Sequence, residues 1–182
     1  MPDMGELKEL MLRTPRLTLA VAESVTCGRV QSRIGEISGA SEFFLGGITA
    51  YTVAQKVRHL GVEYAAAAAC DGVAAEVAAQ MACGAAALFG ADVAVATTGY
   101  AEMAAGGGKP AAGSRPEGAS KPHEPFGFWA VAWRGDAHQW QTRTGKVVAL
   151  GAARVMAQEI IAAVALAEML AQLRAMRDSQ KG

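Results

Sequence analysis

Short apolar runs alternate with helical patterns along this chain, and that alternation constrains its fold more than any other feature. Residues 16–22 (RLTLAVA) read as a strand, followed by a helical pattern from about Thr26 to Ile37 and a turn at Ser38-Gly39. Residues 47–53 (GITAYTV) read as a second strand, and Ala54 to Leu60 as a short helix stopped by Gly61. Asp71 is a candidate N-cap for a long helix to Phe89, with Gly90 just past its end. The β-branched run 92–98 (DVAVATT) predicts a buried strand. Residues 126–133 and 138–144 predict a hairpin around Arg134-Gly135-Asp136. At the N-terminal end, Gly5 to Arg13 predict a short amphipathic helix with Leu7, Leu10 and Met11 on one face, ended by Pro15. Val147 to Arg174 predict a long alanine-rich helix whose polar tail, RDSQKG, frays. Strands alternating with helices, plus one hairpin, imply an α/β fold: a mixed sheet with helices on both faces.

The totals narrow the function classes. At 182 residues the chain is expected to form one domain, 1–182, large enough for a core without metals or disulfides. It is 52% hydrophobic, much of this alanine, which points to closely packed helices. Its 17 basic and 17 acidic residues balance, so it lacks the basic footprint of a nucleic-acid binder. A charge-free run of membrane-spanning length is absent, and MPDMGELKEL lacks the apolar core of a secretion signal. Cys27, Cys70 and Cys83 fit neither a disulfide framework nor a zinc site. The expectation is a cytoplasmic protein without membrane or nucleic-acid partners, metal or cofactor. The segment 101–125 is rich in Gly, Pro, Ala and Ser and without periodicity; a loop this long is either a lid or a loose surface insertion.

Ser24 follows an apolar strand and precedes a helical pattern. It is either an N-cap or a nucleophile at a strand-to-helix turn. In the second case the N–H groups of Val25 to Cys27 point toward a substrate and can hold an oxyanion or phosphate. A nucleophilic serine needs a base. His59, His123 and His138 lie in no evident triad context. Lys56 can serve if burial or a positive field makes it partly neutral; otherwise it is a solvated surface lysine. Tyr51 can relay a proton or orient a substrate, or can be a core aromatic with its hydroxyl at the rim. For Cys27 a small buried residue at a helix start is preferred over a reactive thiol. Trp129, Trp133 and Trp140 are read as packing residues rather than a stacking platform.

These residues stand in a joint context. AES-x-T-x-G, then SGAS-x-x-F, then GG-x-x-x-Y-T-x-x-x-K and LGV resemble the CinA C-terminal domain pattern, with DGVAAEVAAQMACGAA and VAVATTG extending the match from Leu17 over most of the chain. The resemblance implies a three-layer α/β/α sandwich, often a homodimer or higher homo-oligomer. It implies metal-free hydrolysis of nicotinamide mononucleotide to nicotinate mononucleotide and ammonia, in pyridine-nucleotide recycling. Ser24 matches the nucleophile, Lys56 the lysine and Tyr51 the tyrosine. Thr26, Gly28, Gly47, Thr52 and Gly99 fall at substrate-binding positions.

The sequence also departs from the pattern. Val25 and Cys27 replace a cysteine and a glycine after the nucleophile, and Val53 replaces an asparagine. Gly99-Tyr100-Ala101-Glu102-Met103 replaces a Gly-Ile-Ala-Gly-Pro loop, bringing in an acid. Val147 stands at an arginine position, so Arg143 or Lys146 has to supply that cation. The alternative expectation is therefore a catalytically altered relative that acts as a nucleotide-binding or interaction module.

Overall fold

The computed structural model describes residues 4–103, 123–135 and 139–179. Its strands are β1 (Leu19–Glu23), β2 (Phe44–Thr49), β3 (Val93–Tyr100), β4 (Phe126–Arg134) and β5 (Trp140–Val148), in the sheet order β2-β1-β3-β4-β5. β1 is parallel to β2 and β3, whereas β3–β4 and β4–β5 are antiparallel. The described helices are α1 (Met4–Leu12), α2 (Arg29–Gly35), α3 (Val53–Leu60), α4 (Tyr64–Ala69), α5 (Ala75–Phe89) and α6 (Arg154–Ser179). Helices lie on both faces of the mixed sheet, so the α/β/α sandwich is realised.

The period-2 alternation of the central strands builds two unequal faces. Leu19, Val21, Val93, Val95, Trp129 and Val131 form one core with Leu7, Leu10 and Met11 of α1, Val30 and Ile34 of α2, and the apolar stripe of α6. Burying each such large side chain stabilises by roughly 1.5–3 kcal/mol. The other face is alanine: Ala20, Ala22, Ala94, Ala96, Ala130 and Ala132 pack against the alanines of α5. Small residues on both sides let α5 lie close to the sheet, and the same closeness recurs between α5 and α3. A Cβ added at Gly84 of α5 would lie 2.1 Å from the Leu60 carbonyl oxygen of α3. Trp129 is buried in the first core, with Trp133 packed against it and Trp140 against the second.

Several boundaries differ from expectation, each for a local reason. The second strand ends at Thr49, because Thr52 N-caps α3 and accepts from the Gln55 N–H; Tyr51 thus lies in the connector, beyond the strand. Asp71 does not cap the long helix. The alanine run 65–69 forms its own helix, α4, capped by Glu63, whose carboxylate accepts from the N–H groups of Ala65 and Ala66. Asp71 lies in the turn after it with φ 55°, and the N-cap of α5 is Ala74. Val147 and Val148 belong to β5, paired with Gly127 and Phe126, so the last helix starts only at Arg154. Its final described turn is docked rather than frayed. Buried Arg177 donates to the carbonyls of Leu10 and Arg13. The hairpin tip 136–138, with His138, residues 104–122 of the long loop and the last residues 180–182 lie outside the described residues. By length and composition α6 could cross a membrane, but half of its apolar stretch is buried inside this fold, as in a core helix.

Chain direction places the site. From the carboxyl end of β1 the chain crosses to β2 through α2 on the large-residue face, and from β2 it reaches β3 through α3, α4 and α5 on the alanine face. Connections that diverge to opposite faces leave a crevice at the carboxyl ends of the parallel strands, where ligands bind in open α/β sheets.

Candidate functional site

A cavity of about 620 Å³ occupies that crevice. Ser24 and Val25 reach it from the end of β1, Tyr51 from the β2–α3 connector, and Lys56 from α3. Gly99 to Met103 come from the end of β3, and Arg154 from the first residue of α6. Asp71, Val73, His123 and Phe126 complete the wall. The strand-end geometry thus joins Ser24, Tyr51, Lys56 and Gly99. The remaining positions that the resemblance suggested do not line the cavity.

Those positions have other contacts. Thr26 is buried between the Glu23 carboxylate (2.5 Å) and the Thr97 hydroxyl (2.7 Å). Gly28 is the N-cap of α2, with φ 94°. Gly47, in β2, faces Gln31 so closely that a Cβ would lie 2.5 Å from its Cδ. Thr52 caps α3. Arg143 pairs with Glu168 at 3.0 Å and lies over the Trp129 ring, while the Lys146 ammonium lies 4.1 Å from the Phe126 ring centre. The guanidinium that does reach the cavity is that of Arg154. The helix expected from Val147 begins only at Arg154, and this places the guanidinium at its head.

The turn that carries Ser24 is fixed by a carboxylate that sequence reasoning passed over. Glu23 is fully buried. Its Oε2 accepts from the Thr26 hydroxyl and the N–H groups of Gly28 (2.9 Å) and Val30 (3.2 Å), and its Oε1 from the Gln31 N–H (2.9 Å). The positive end of α2 is therefore neutralised from within, so these donors are not offered to a ligand. Ser24 is not the cap. Its N–H donates to the Thr97 carbonyl, and its hydroxyl makes one long bond, 3.4 Å, to the Tyr51 carbonyl. The Gln158 amide of α6 donates to the Val25 carbonyl and ties the turn to the far layer. Cys27 is exposed rather than buried, and its φ of 50° lies in the left-handed region that favours glycine. A side chain there costs roughly 1–2 kcal/mol relative to a glycine's freedom.

Lys56 is 2% exposed, so the surface alternative is excluded. Its ammonium donates to the Gly72 carbonyl and to the Thr98 hydroxyl, both at 2.9 Å, and Thr98 in turn donates to Gly72 at 2.6 Å. Burial drives its pKa from 10.5 down to about 8, against the opposing pull of Asp71 and, more weakly, Cys70. Neither Lys56 nor Ser24 bonds the other among the described residues; they share the cavity.

The rim is polar and exposed. Arg154 donates through Nη1 to Glu102 (2.9 Å) and through Nη2 to the Tyr51 hydroxyl (2.7 Å). The Glu102 hydrogen bond, then Tyr51, hold its pKa above the usual arginine value. Tyr100 donates to Asp71 at 3.0 Å and stacks on His123 with ring centres 4.9 Å apart, making an aromatic wall with Phe126. Among the described residues there is no His/Cys/Asp/Glu cluster suited to a metal ion.

Comparison with known proteins agrees with this architecture. A CinA-like protein of Picosynechococcus is 39% identical over 123 residues, 68% of this chain and 26% of that protein. One from Chlorobium phaeobacteroides is 45% identical over 85 residues, 47% of this chain and 20% of that protein. The match thus spans about a quarter or less of these curated relatives. The crystal structure of a competence or damage-inducible protein from Enterobacter asburiae superposes with a TM-score of 0.73 at 25% identity, covering 93% of this chain and 95% of that one. That of a competence-damaged protein (CinA) superfamily member from Escherichia coli gives 0.67 at 26% identity, covering 95% and 88%. The CinA C-terminal domain model matches residues 4–173, nearly the whole chain, and the protein belongs to that family.

Proposed function

We propose that this protein is an amidohydrolase that cleaves the carboxamide of nicotinamide mononucleotide, or of a closely related nucleotide amide, through a Ser24 nucleophile and a Lys56 base. The observation that carries the reading is a desolvated lysine, with its pKa near 8, in the same cavity as a serine whose hydroxyl is not spent on capping a helix. A neutral amine has two hydrogens and one lone pair. Gly72 and Thr98 accept the two hydrogens, leaving the lone pair for a proton. In the reaction, Lys56 takes the Ser24 proton as Oγ attacks the amide carbon. The tetrahedral intermediate collapses by breaking the C–N bond, and the Lys56 proton leaves with the amine as ammonia. Water then attacks the acyl-serine ester with Lys56 again as base, releasing the carboxylate and regenerating Ser24. Tyr51 has its hydroxyl oxygen occupied by Arg154, so its O–H proton is available to orient a substrate oxygen.

The second reading is a nucleotide-binding module without hydrolysis. It is favoured by the separate hydrogen bonding of Ser24 and Lys56 and by Glu102 at the cavity rim. Ammonia release from nicotinamide mononucleotide by wild type and Ser24→Ala decides between them. Hydrolysis predicts release that disappears in the variant. Binding of the mononucleotide without release from folded wild type would rule out the amidohydrolase.

A further inference from the structure

We propose that Glu102 sets which anions this cavity accepts, by occupying the guanidinium of Arg154 as an internal counter-ion that an incoming phosphate has to replace. The inference rests on the preceding reading only in taking the cavity as the ligand site; it does not require amide hydrolysis.

Among the described residues, Arg154 is the guanidinium that lines the cavity. Its two terminal nitrogens are both committed, one to the Glu102 carboxylate and one to the Tyr51 hydroxyl. The three side chains come from separate parts of the chain: the β2–α3 connector, the segment after β3 and the head of α6. They form a polar bridge at the rim, while Ser24 and Lys56 lie buried beneath. A guanidinium binds a phosphate through the same fork of N–H donors that a carboxylate uses. Glu102 therefore competes for the place a phosphate would take.

The competition is set to be reversible. The side chains of Arg154 and Glu102 are 46% and 67% exposed, so water replaces either partner readily. Exposed ion pairs contribute about 0.2–1 kcal/mol, so Glu102 lowers the affinity of a phosphate by at most about fivefold. A phosphate monoester carries about −1.5 to −2 charge near neutrality and prevails over a single carboxylate. A ligand carboxylate has no such charge advantage over Glu102. The bridge thus selects phosphomonoesters over monocarboxylates, and it keeps Arg154 paired when the cavity is empty.

The test is calorimetric titration at low ionic strength of wild type, Glu102→Gln and Arg154→Gln. The probes are inorganic phosphate, nicotinamide mononucleotide and nicotinamide riboside, which lacks the phosphate. A thermal midpoint matching wild type establishes that each variant is folded. The expected result is phosphate and mononucleotide binding tightened up to about fivefold in Glu102→Gln and weakened in Arg154→Gln, with riboside binding unchanged. Three results would overturn the proposal: unchanged or weaker phosphate binding in Glu102→Gln, an equal gain for the riboside, or no phosphate binding by wild type and Glu102→Gln. Failure to release ammonia would overturn the amidohydrolase and leave these arms intact. Ammonia release with unaltered phosphate affinity in Glu102→Gln would do the reverse.

Discussion

Replacing Lys56 by methionine should stabilise the protein at neutral pH while abolishing amide hydrolysis. The side chain is 2% exposed and its pKa falls from 10.5 to about 8 on burial. Above pH 10.5 the amine is neutral whether the chain is folded or not, and burial carries no ionic cost. As pH falls from 10.5 toward 8, the unfolded chain binds a proton that the folded one resists, so stability is lost across that window and stays low beneath it. The full loss is about 3 kcal/mol, from the pKa difference at 1.36 kcal/mol per unit. Methionine has similar length and no charge. It also removes the two hydrogen bonds from Nζ, but Gly72 keeps the Thr98 hydroxyl as donor. The stability of Lys56→Met relative to wild type should therefore be about 2–3 kcal/mol more favourable at pH 7 than at pH 10, the part of the titration between those values. Urea unfolding of both proteins at the two pH values measures it, and the difference of differences cancels the pH-independent packing and hydrogen-bond terms. A gap that stays constant with pH would refute the argument that Lys56 is held desolvated with a depressed pKa, and with it the case for a neutral amine near physiological pH.

Two further substitutions test the electrostatics of that lysine and the helix contact behind it. Asp71→Asn removes a charge that holds the Lys56 pKa up, so the rising limb of the rate against pH should move to lower pH than about 8; asparagine tolerates the φ of 55°, and a limb that stays put or rises would remove Asp71 from the electrostatics of the site. Gly84→Ala forces a Cβ to within 2.1 Å of the Leu60 carbonyl, so α3 and α5 have to separate; a loss of about 1–3 kcal/mol in chemical unfolding is expected, and stability equal to wild type would show that the alanine-lined contact is looser than described.

Much of the sheet was legible because its central strands speak in one register. Large aliphatic residues (Leu19, Val21, Val93, Val95) and alanines alternate along β1 and β3, so two faces of different depth follow from the sequence alone. What was illegible depended on competition between neighbouring signals. Asp71 followed by an apolar run looks like a helix cap, but Glu63 caps the alanine run before it, and the chain needs the Asp71 turn to bring Gly72 under Lys56. The end of the hairpin was misplaced because Val147 and Val148 fit a helix as well as a strand, and their pairing with Gly127 and Phe126 is a long-range fact.

The site was only half readable because its residues are local in sequence while their partners are not. Ser24, Tyr51 and Lys56 occupy motif positions, and the fold needs only parallel strand ends to bring them into one crevice. Their electrical environment is not local in sequence. Thr98 lies 42 residues from Lys56, and Arg154 lies 103 from Tyr51 and 52 from Glu102. Glu23, beside Ser24, could have been found. A carboxylate that ends a wholly apolar strand has to be buried, and a buried carboxylate needs donors. The nearest unpaired donors are the N–H groups at the start of the next helix. The dipole of α2 is thereby spent on folding the turn, leaving charge on a ligand to be met by side chains such as Arg154. Charge selection then falls on the exposed rim, at Arg154 and Glu102, while the serine and lysine lie buried beneath it.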